Sequence, residues 1–281
     1  MSRISRFLNP LAAVCAAFAG FAGPAAAAPR SAIDRPMTFV EVRDGIAACG
    51  GHCPRWIAAQ GRIDAGAGWR FALFLRAHPR LRAPVLVNSP GGSVQDAIAI
   101  GRAIRARGLS VAVARTAFID CAGRCAPGER LGMPVALGAY CASACPLILA
   151  GGLQRAVGPW AFVGVHQMIE IATRVLVRRE YLVRYRIVNG RKVEVSRKLM
   201  SVTRGKPMTH TGVAGLAFDR LVGAYLAQMG VGPGVLKAAM TTPNSGVHWF
   251  GAAELRSTRL ANTRADGTRM KVLPDGSTAF E

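Results

Sequence analysis

The chain has 281 residues, is 51% hydrophobic and carries a formal net charge of +21. That is enough apolar content for one sizeable core or two small ones. Its basic residues are mostly scattered arginines, clustered only at 174–206, with no recognisable nucleic-acid module beside them. A nucleic-acid partner is therefore not expected, and a solvated basic surface with weak attraction to anionic membranes is.

Residues 1–27 have the layout of a secretory signal peptide. Arg3 and Arg6 come first, an apolar stretch runs from Leu11 to Gly23, and small residues follow in "PAAAAPR". Cleavage is placed after Ala27. Val14 before Cys15 argues against a lipoprotein, and the apolar core is short for a membrane span. No later run of about 18 apolar residues occurs, so the expectation is a soluble periplasmic or secreted protein. Beyond the signal lie six cysteines in three C-x3-C pairs, Cys49/Cys53, Cys121/Cys125 and Cys141/Cys145. An even count in an oxidising compartment argues for disulfides, and the spacing leaves all 15 connectivities open. A zinc site on Cys49, His52 and Cys53 is the weaker reading, because no matching second half is present. No metal or cofactor is called for.

Residues 28–54 read as an irregular, cysteine-containing segment. "WIAAQGRID" at 56–64 reads as a short buried strand, and "AGAGWRFALFLRAHPRLR" as a helix with Trp69, Leu73 and Leu75 inward. "APVLVNSPGGS" is a strand over Val85–Val87 that breaks into a Gly-rich turn. "VQDAIAIGRAIRARG" is an amphipathic helix with Ile98, Ile100 and Ile104 on its apolar side and Gly108 as its stop. "LSVAVA" is another strand. Alternating strands and helices imply right-handed crossovers and a largely parallel sheet. Residues 116–132 read as a cysteine-pinned loop insertion, "MPVALGAY" as extended, "SACPLILAG" as a helix opening at Ser143, and "AFVGVHQM" as a strand with His166 near its end. Alternating apolar and basic residues flank Asn189-Gly190, which predicts a projecting β-hairpin arm over 174–206. A helix over 212–230 offers Leu216, Leu221, Leu226 and Met229 to the core. "GPGVLKAAM" is a short helix, "VHWF" a strand, and residues 263–281 a flexible tail.

Three strand ends carry chemistry: "NSPGGS", "CASAC" and "GVHQM". A serine at a helix N-terminus faces backbone N–H groups and the positive end of the helix dipole, which suits a developing oxyanion. Adjacent glycines let a backbone N–H point into a site. A histidine at a neighbouring strand end can take the serine proton near neutral pH. Singly these features are common, and Ser143 or His166 alone is more often a packing or satisfied core residue. Their order and their strand-end positions shift the balance toward a serine hydrolase.

Here the sequence resembles a family. "VLVNSPGGSVQDAIAIGRAI", "GAYCASACPLILAGG", "VGVHQM", "WIAAQGRID" and "FGAAEL" resemble segments of the Clp protease proteolytic subunit, within the ClpP/crotonase superfamily. The resemblance covers about residues 55–262, and the leader and cysteines point to an exported ClpP-like group. It implies an α/β fold of repeated ββα units with a mostly parallel sheet, plus the inserted hairpin arm. It implies Ser143 as nucleophile, His166 as general base, and Gly92 and Ala144 as oxyanion-hole donors, with Gly91 shaping the turn. It implies a peptide or protein substrate and leaves a homo-oligomer open through the arm, which sits where the family places its handle.

The family's orienting aspartate has no counterpart before Glu254. Asn244, Ser245 or a remote acid such as Asp219 could orient His166, or the site is a dyad or inactive. The leading expectation is an exported, ATP-independent serine peptidase working through an acyl-enzyme. The alternative is a catalytically impaired module that binds peptides or an envelope partner. A crotonase-like acyl-CoA enzyme is less suited to an exported chain. A Ser/Lys dyad would need a lysine at a strand end, and Lys192, Lys198, Lys206, Lys237 and Lys271 occupy none.

Overall fold

The computed structural model describes residues 32–46, 53–121 and 130–281. The leader reading, Cys49, His52 and Cys125 lie outside the described residues. After a 3-10 turn at Ala32–Asp34 come β1 (Thr38–Asp44) and β2 (Arg55–Gln60), an antiparallel pair in register from Thr38↔Gln60 to Arg43↔Arg55. Then follow α1 (Ala67–Ala77), β3 (Val85–Asn88), α2 (Val94–Ala106), β4 (Val111–Val113), β5 (Arg115–Ile119) and β6 (Leu131–Val135). Next are β7 (Tyr140–Ala142), α3 (Cys145–Ala150), β8 (Arg155–Val157) and β9 (Phe162–Val165).

Seven of these strands form a sheet in the order β5-β6-β1-β2-β3-β4-β8. The β2–β3, β3–β4, β4–β8 and β1–β6 pairings are parallel, and β1–β2 and β5–β6 are antiparallel. The protein is thus mixed α/β with a mostly parallel central sheet. Its central strands are buried on both faces, as their continuous apolar runs require. Ile57 and Ala59 of β2 join the core beneath the helices, with Phe71, Ile100, Ile104 and Leu149. Trp56 and Ala58 point the other way, into a second cluster with Val42, Leu86 and Phe280.

Two arms and a cap complete the chain. β10 (Ile169–Arg174) pairs with β13 (Met208–Val213), and between them β11 (Val177–Val188) and β12 (Arg191–Arg204) form the predicted hairpin. Asn189 (φ 50°) and Gly190 (φ 76°) make its turn, the two left-handed residues that a tight hairpin of this hand requires. The helices α4 (Leu216–Gln228) and α5 (Gly234–Thr241) follow, then β14 (His248–Trp249), α6 (Ala252–Ser257), β15 (Met270–Val272) and β16 (Thr278–Phe280).

Several expectations need correction. Residues 38–44 are a strand rather than irregular chain. "TFVEVR" is rich in β-branched and aromatic residues, but its burial does not alternate cleanly. Residues 116–132 are not all loop: both ends belong to the antiparallel β5–β6 pair, and only 122–129 lie outside the described residues. The tail is not flexible chain, because β15 and β16 pair and Phe280 is buried against the sheet's second face. On α1 the inward residues are Phe71 and Leu75, while Trp69 is exposed. On α4 they are Val222, Tyr225 and Leu226, with Met229 just beyond the helix, while Leu216 and Leu221 are exposed. Hydropathy alone had placed leucines where the helix phase places a tyrosine. The Tyr225 hydroxyl donates to the Leu147 carbonyl at 2.7 Å, and that partner makes its burial affordable.

Candidate active site

Ser143 is not the first residue of a helix. It occupies the turn between β7 and α3, at φ 60°, with Ala144 as the N-cap residue. A non-glycine residue in the left-handed region is uncommon and costs on the order of 1–3 kcal/mol, so the surroundings must impose it. Three ties do so. The Ser143 N–H donates to the Gly164 carbonyl of β9 at 2.9 Å. The Ala142 N–H donates to Ser89 beyond β3, and the Ser89 N–H donates to Tyr140. A disulfide joins Cys141 to Cys145, bracketing the turn. Of the pairings left open by the sequence, the structure contains this one. Cys53 and Cys121 are disulfide-bonded as well.

The glycine turn lies against the serine. Gly91 (φ 98°) and Gly92 (φ 135°) both hold conformations that L side chains rarely adopt. A Cβ on Gly91 would stand 2.5 Å from the Ser143 Cβ and 3.0 Å from the Ala144 nitrogen. The Ile63 N–H donates to Gly91 and the Ser93 N–H to Ile63, fastening the turn to the segment after β2. The Gly91 N–H is taken by the buried Ser89 hydroxyl at 3.1 Å. The Gly92 and Ala144 N–H groups donate to no other described residue. Ser93 then caps α2 by accepting from the Asp96 N–H.

His166 follows β9. Its Nδ1 lies 2.8 Å from the Gln167 carbonyl oxygen. With the proton on Nδ1, that nitrogen donates to the carbonyl and Nε2 is left as an acceptor. Gln167 is itself anchored: its N–H donates to Thr242 and its side-chain amide to Met240, both at the end of α5. Asn244 and Ser245 lie exposed in the loop after α5, and Asp219 lies on α4. None of the three hydrogen-bonds to His166. Glu254 is occupied elsewhere, accepting from the Gly251 N–H and facing His248 at 3.1 Å. These contacts hold its carboxyl below the usual range, the Gly251 bond most strongly.

Ser143, Ala144 and His166 line one apolar cavity, walled by Pro146, Leu147, Val222, Leu226 and Leu236. No hydrogen bond joins Ser143 to His166. Its free volume is about 20 Å³, little more than one water requires. The structure thus brings together Ser143, Ala144, His166 and the Gly91–Gly92 turn, and keeps Asn244, Ser245 and Asp219 off the imidazole. Sequence reasoning missed Ser89 and the Gln167 carbonyl. The serine inside "NSPGG" was a signal for the first, whereas a backbone acceptor leaves no residue-type signature.

No protein-family model and no curated protein matches the chain. Among solved structures it is similar to a mutant of the 1510-N membrane-bound stomatin-specific protease. The identity is 14%, over 72% of this chain and 73% of that one, with a TM-score of 0.39. A likeness that distant informs neither fold family nor activity.

Proposed function

We propose that the protein is an exported ClpP-like serine peptidase that hydrolyses peptides through an acyl-enzyme without ATP. The observation that carries this reading is Ser143, held in a left-handed turn at a cavity it shares with His166, with the N–H groups of Ala144 and of Gly92 in the adjoining glycine turn donating to no other described residue. In the proposed reaction the Ser143 Oγ attacks the scissile carbonyl while His166 Nε2 takes its proton. The Gly92 and Ala144 N–H groups receive the oxyanion. His166 returns the proton to the leaving amine, and water then releases the acyl group. The Gln167 carbonyl stands in for an orienting carboxylate. Being uncharged, it stabilises the imidazolium less than an aspartate does, so a slow enzyme is expected. The buried disulfide fits an oxidising compartment.

The narrowness of this cavity supports a preference for small residues. A side chain larger than a methyl must spread α4 and α5, so small apolar residues before the cleaved bond are favoured. The test is a panel of fluorogenic peptides varied at that residue, incubated with oxidised protein and no nucleotide. Turnover that falls at least 1,000-fold in Ser143→Ala supports the reading. Folded protein without turnover on any member favours the second reading, a binding module. That no carboxylate among the described residues hydrogen-bonds to His166 is the observation behind that alternative.

A further inference from the structure

The β11–β12 arm is the least explained part of the molecule. Its strands have 12 and 14 residues, so it extends about 40 Å at roughly 3.3 Å per residue. Almost every side chain on it is exposed. Two-stranded ribbons without a third strand or a packed face are marginal in water, so an arm of this length calls for a surface to lie on.

Its two faces differ. Along β11, Val177, Arg179, Tyr181, Val183, Tyr185 and Ile187 share one face, since side chains alternate and both register shifts leave the extra residue on β12. Their partners on β12 add Leu199 and Val202, with Lys192, Arg197 and Arg204 at intervals. Arg197 lies over the Tyr181 ring at 5.4 Å and pairs with Glu194, which places these groups on the same side. The opposite face carries Arg178, Glu180, Leu182, Arg184, Arg186 and Val188, with Arg191, Val193 and Lys198 on β12, so it is as basic but far less apolar, and the Tyr181–Tyr185 face is set apart by its apolar side chains. Over 177–204, nine basic side chains stand against two acidic ones, a net of +7. Arg179, Lys192 and Arg204 have no carboxylate within ion-pair distance among the described residues.

We propose that the Val177–Arg204 arm docks on anionic lipid, lying along a membrane surface with its Tyr181–Tyr185 face against the headgroups. Charge selects this occupant. A second copy would bring another +7 arm against the first, and like charges oppose that pairing. Aliphatic Val, Ile and Leu among the tyrosines suit the headgroup–acyl boundary, where tyrosine rings and aliphatic chains enter and arginines reach phosphates. The proposal rests on register, exposure and charge, and stands apart from the hydrolase reading.

The test is co-sedimentation of the full chain with vesicles of phosphatidylcholine, with and without phosphatidylglycerol. Each cation at an anionic surface contributes about a fivefold factor in affinity. Arg179→Ser/Lys192→Ser/Arg204→Ser is therefore expected to lower partitioning onto the anionic vesicles roughly 100-fold. Tyr181→Ser/Tyr185→Ser/Ile187→Ser, with every charge kept, is expected to weaken it as well. Both sets of positions are solvent-exposed, so melting temperature should match wild type, and residues outside the arm contribute equally to all three proteins. Equal partitioning of wild type and the charge variant overturns the proposal. So does equal binding of wild type to neutral and anionic vesicles, or self-association abolished by the apolar variant without any change in vesicle binding.

Discussion

Gly91 offers the sharpest probe of how the serine turn is held. Alanine there must adopt φ 98°, a conformation that costs an L residue about 1–2 kcal/mol. Its Cβ would also lie 2.5 Å from the Ser143 Cβ, 2.6 Å from the Ala142 carbonyl oxygen and 3.0 Å from the Ala144 nitrogen. These neighbours are backbone or nearly so and cannot swing aside, which adds a further 1–3 kcal/mol, roughly, of overpacking. The total is about 2–5 kcal/mol. For a chain of this size it lowers the melting temperature by roughly 5–20 °C. Gly138→Ala is the matched control, because Gly138 has φ 71° and nothing within 4 Å of its would-be Cβ. It should lose only the conformational part. Gly91→Ala should also slow reaction of Ser143 with an active-serine reagent about 100-fold, the usual cost of a misplacement near 1 Å. Calorimetry and labelling on both variants decide. If Gly91→Ala is no more destabilising than Gly138→Ala, the packing of the glycine turn against Ser143 is wrong.

Other perturbations test separate parts of the account. Tyr225→Phe leaves the buried Leu147 carbonyl without its 2.7 Å donor and should destabilise the fold by about 1–3 kcal/mol in denaturant titration. Cys141→Ala/Cys145→Ala removes the bracket around the serine turn. The short closed loop suggests about 2 kcal/mol of lost stability, and labelling of Ser143 should slow more than that of a surface nucleophile. The Arg70 guanidinium holds the Asp64 carboxyl below its usual range. A depressed carboxylate contributes stability at neutral pH that disappears as pH falls through the folded value. Asp64→Asn should therefore be less stable by up to about 1 kcal/mol at pH 7, given the pair's partial exposure. The gap should close below about pH 4, as followed by thermal melts across the acid range.

The sequence disclosed most about elements whose signals are local. β2, β3, α2 and β4 carry apolar runs bounded by glycine or proline, and the Asn189-Gly190 turn named its own hairpin. The parts of the candidate site were legible for a similar reason, since Ser143, His166 and the Gly91–Gly92 turn each sit at a strand end with a small-residue or glycine marker. What stayed hidden depends on distant partners. β1 is a strand because β2 and β6 take its two edges, and the C-terminal hairpin is ordered because Phe280 finds Trp56 and Leu86 beneath the sheet. The inward face of α4 turns on Tyr225, whose hydroxyl is acceptable in the core only because the Leu147 carbonyl is there to receive it. The contact that His166 makes was invisible for a different reason. It is made to a backbone oxygen one residue away, which no residue type in the sequence marks.

The most direct measurement is intact-mass analysis of the oxidised protein after exposure to a fluorophosphonate, with peptide mapping of the adduct. Wild type, Ser143→Ala and His166→Ala should be run together, each checked for a cooperative melt. One adduct is expected on wild type, mapped to Ser143, and none on either variant. Folded wild type without an adduct, or an adduct that persists in Ser143→Ala, would contradict an activated serine at the β7–α3 turn.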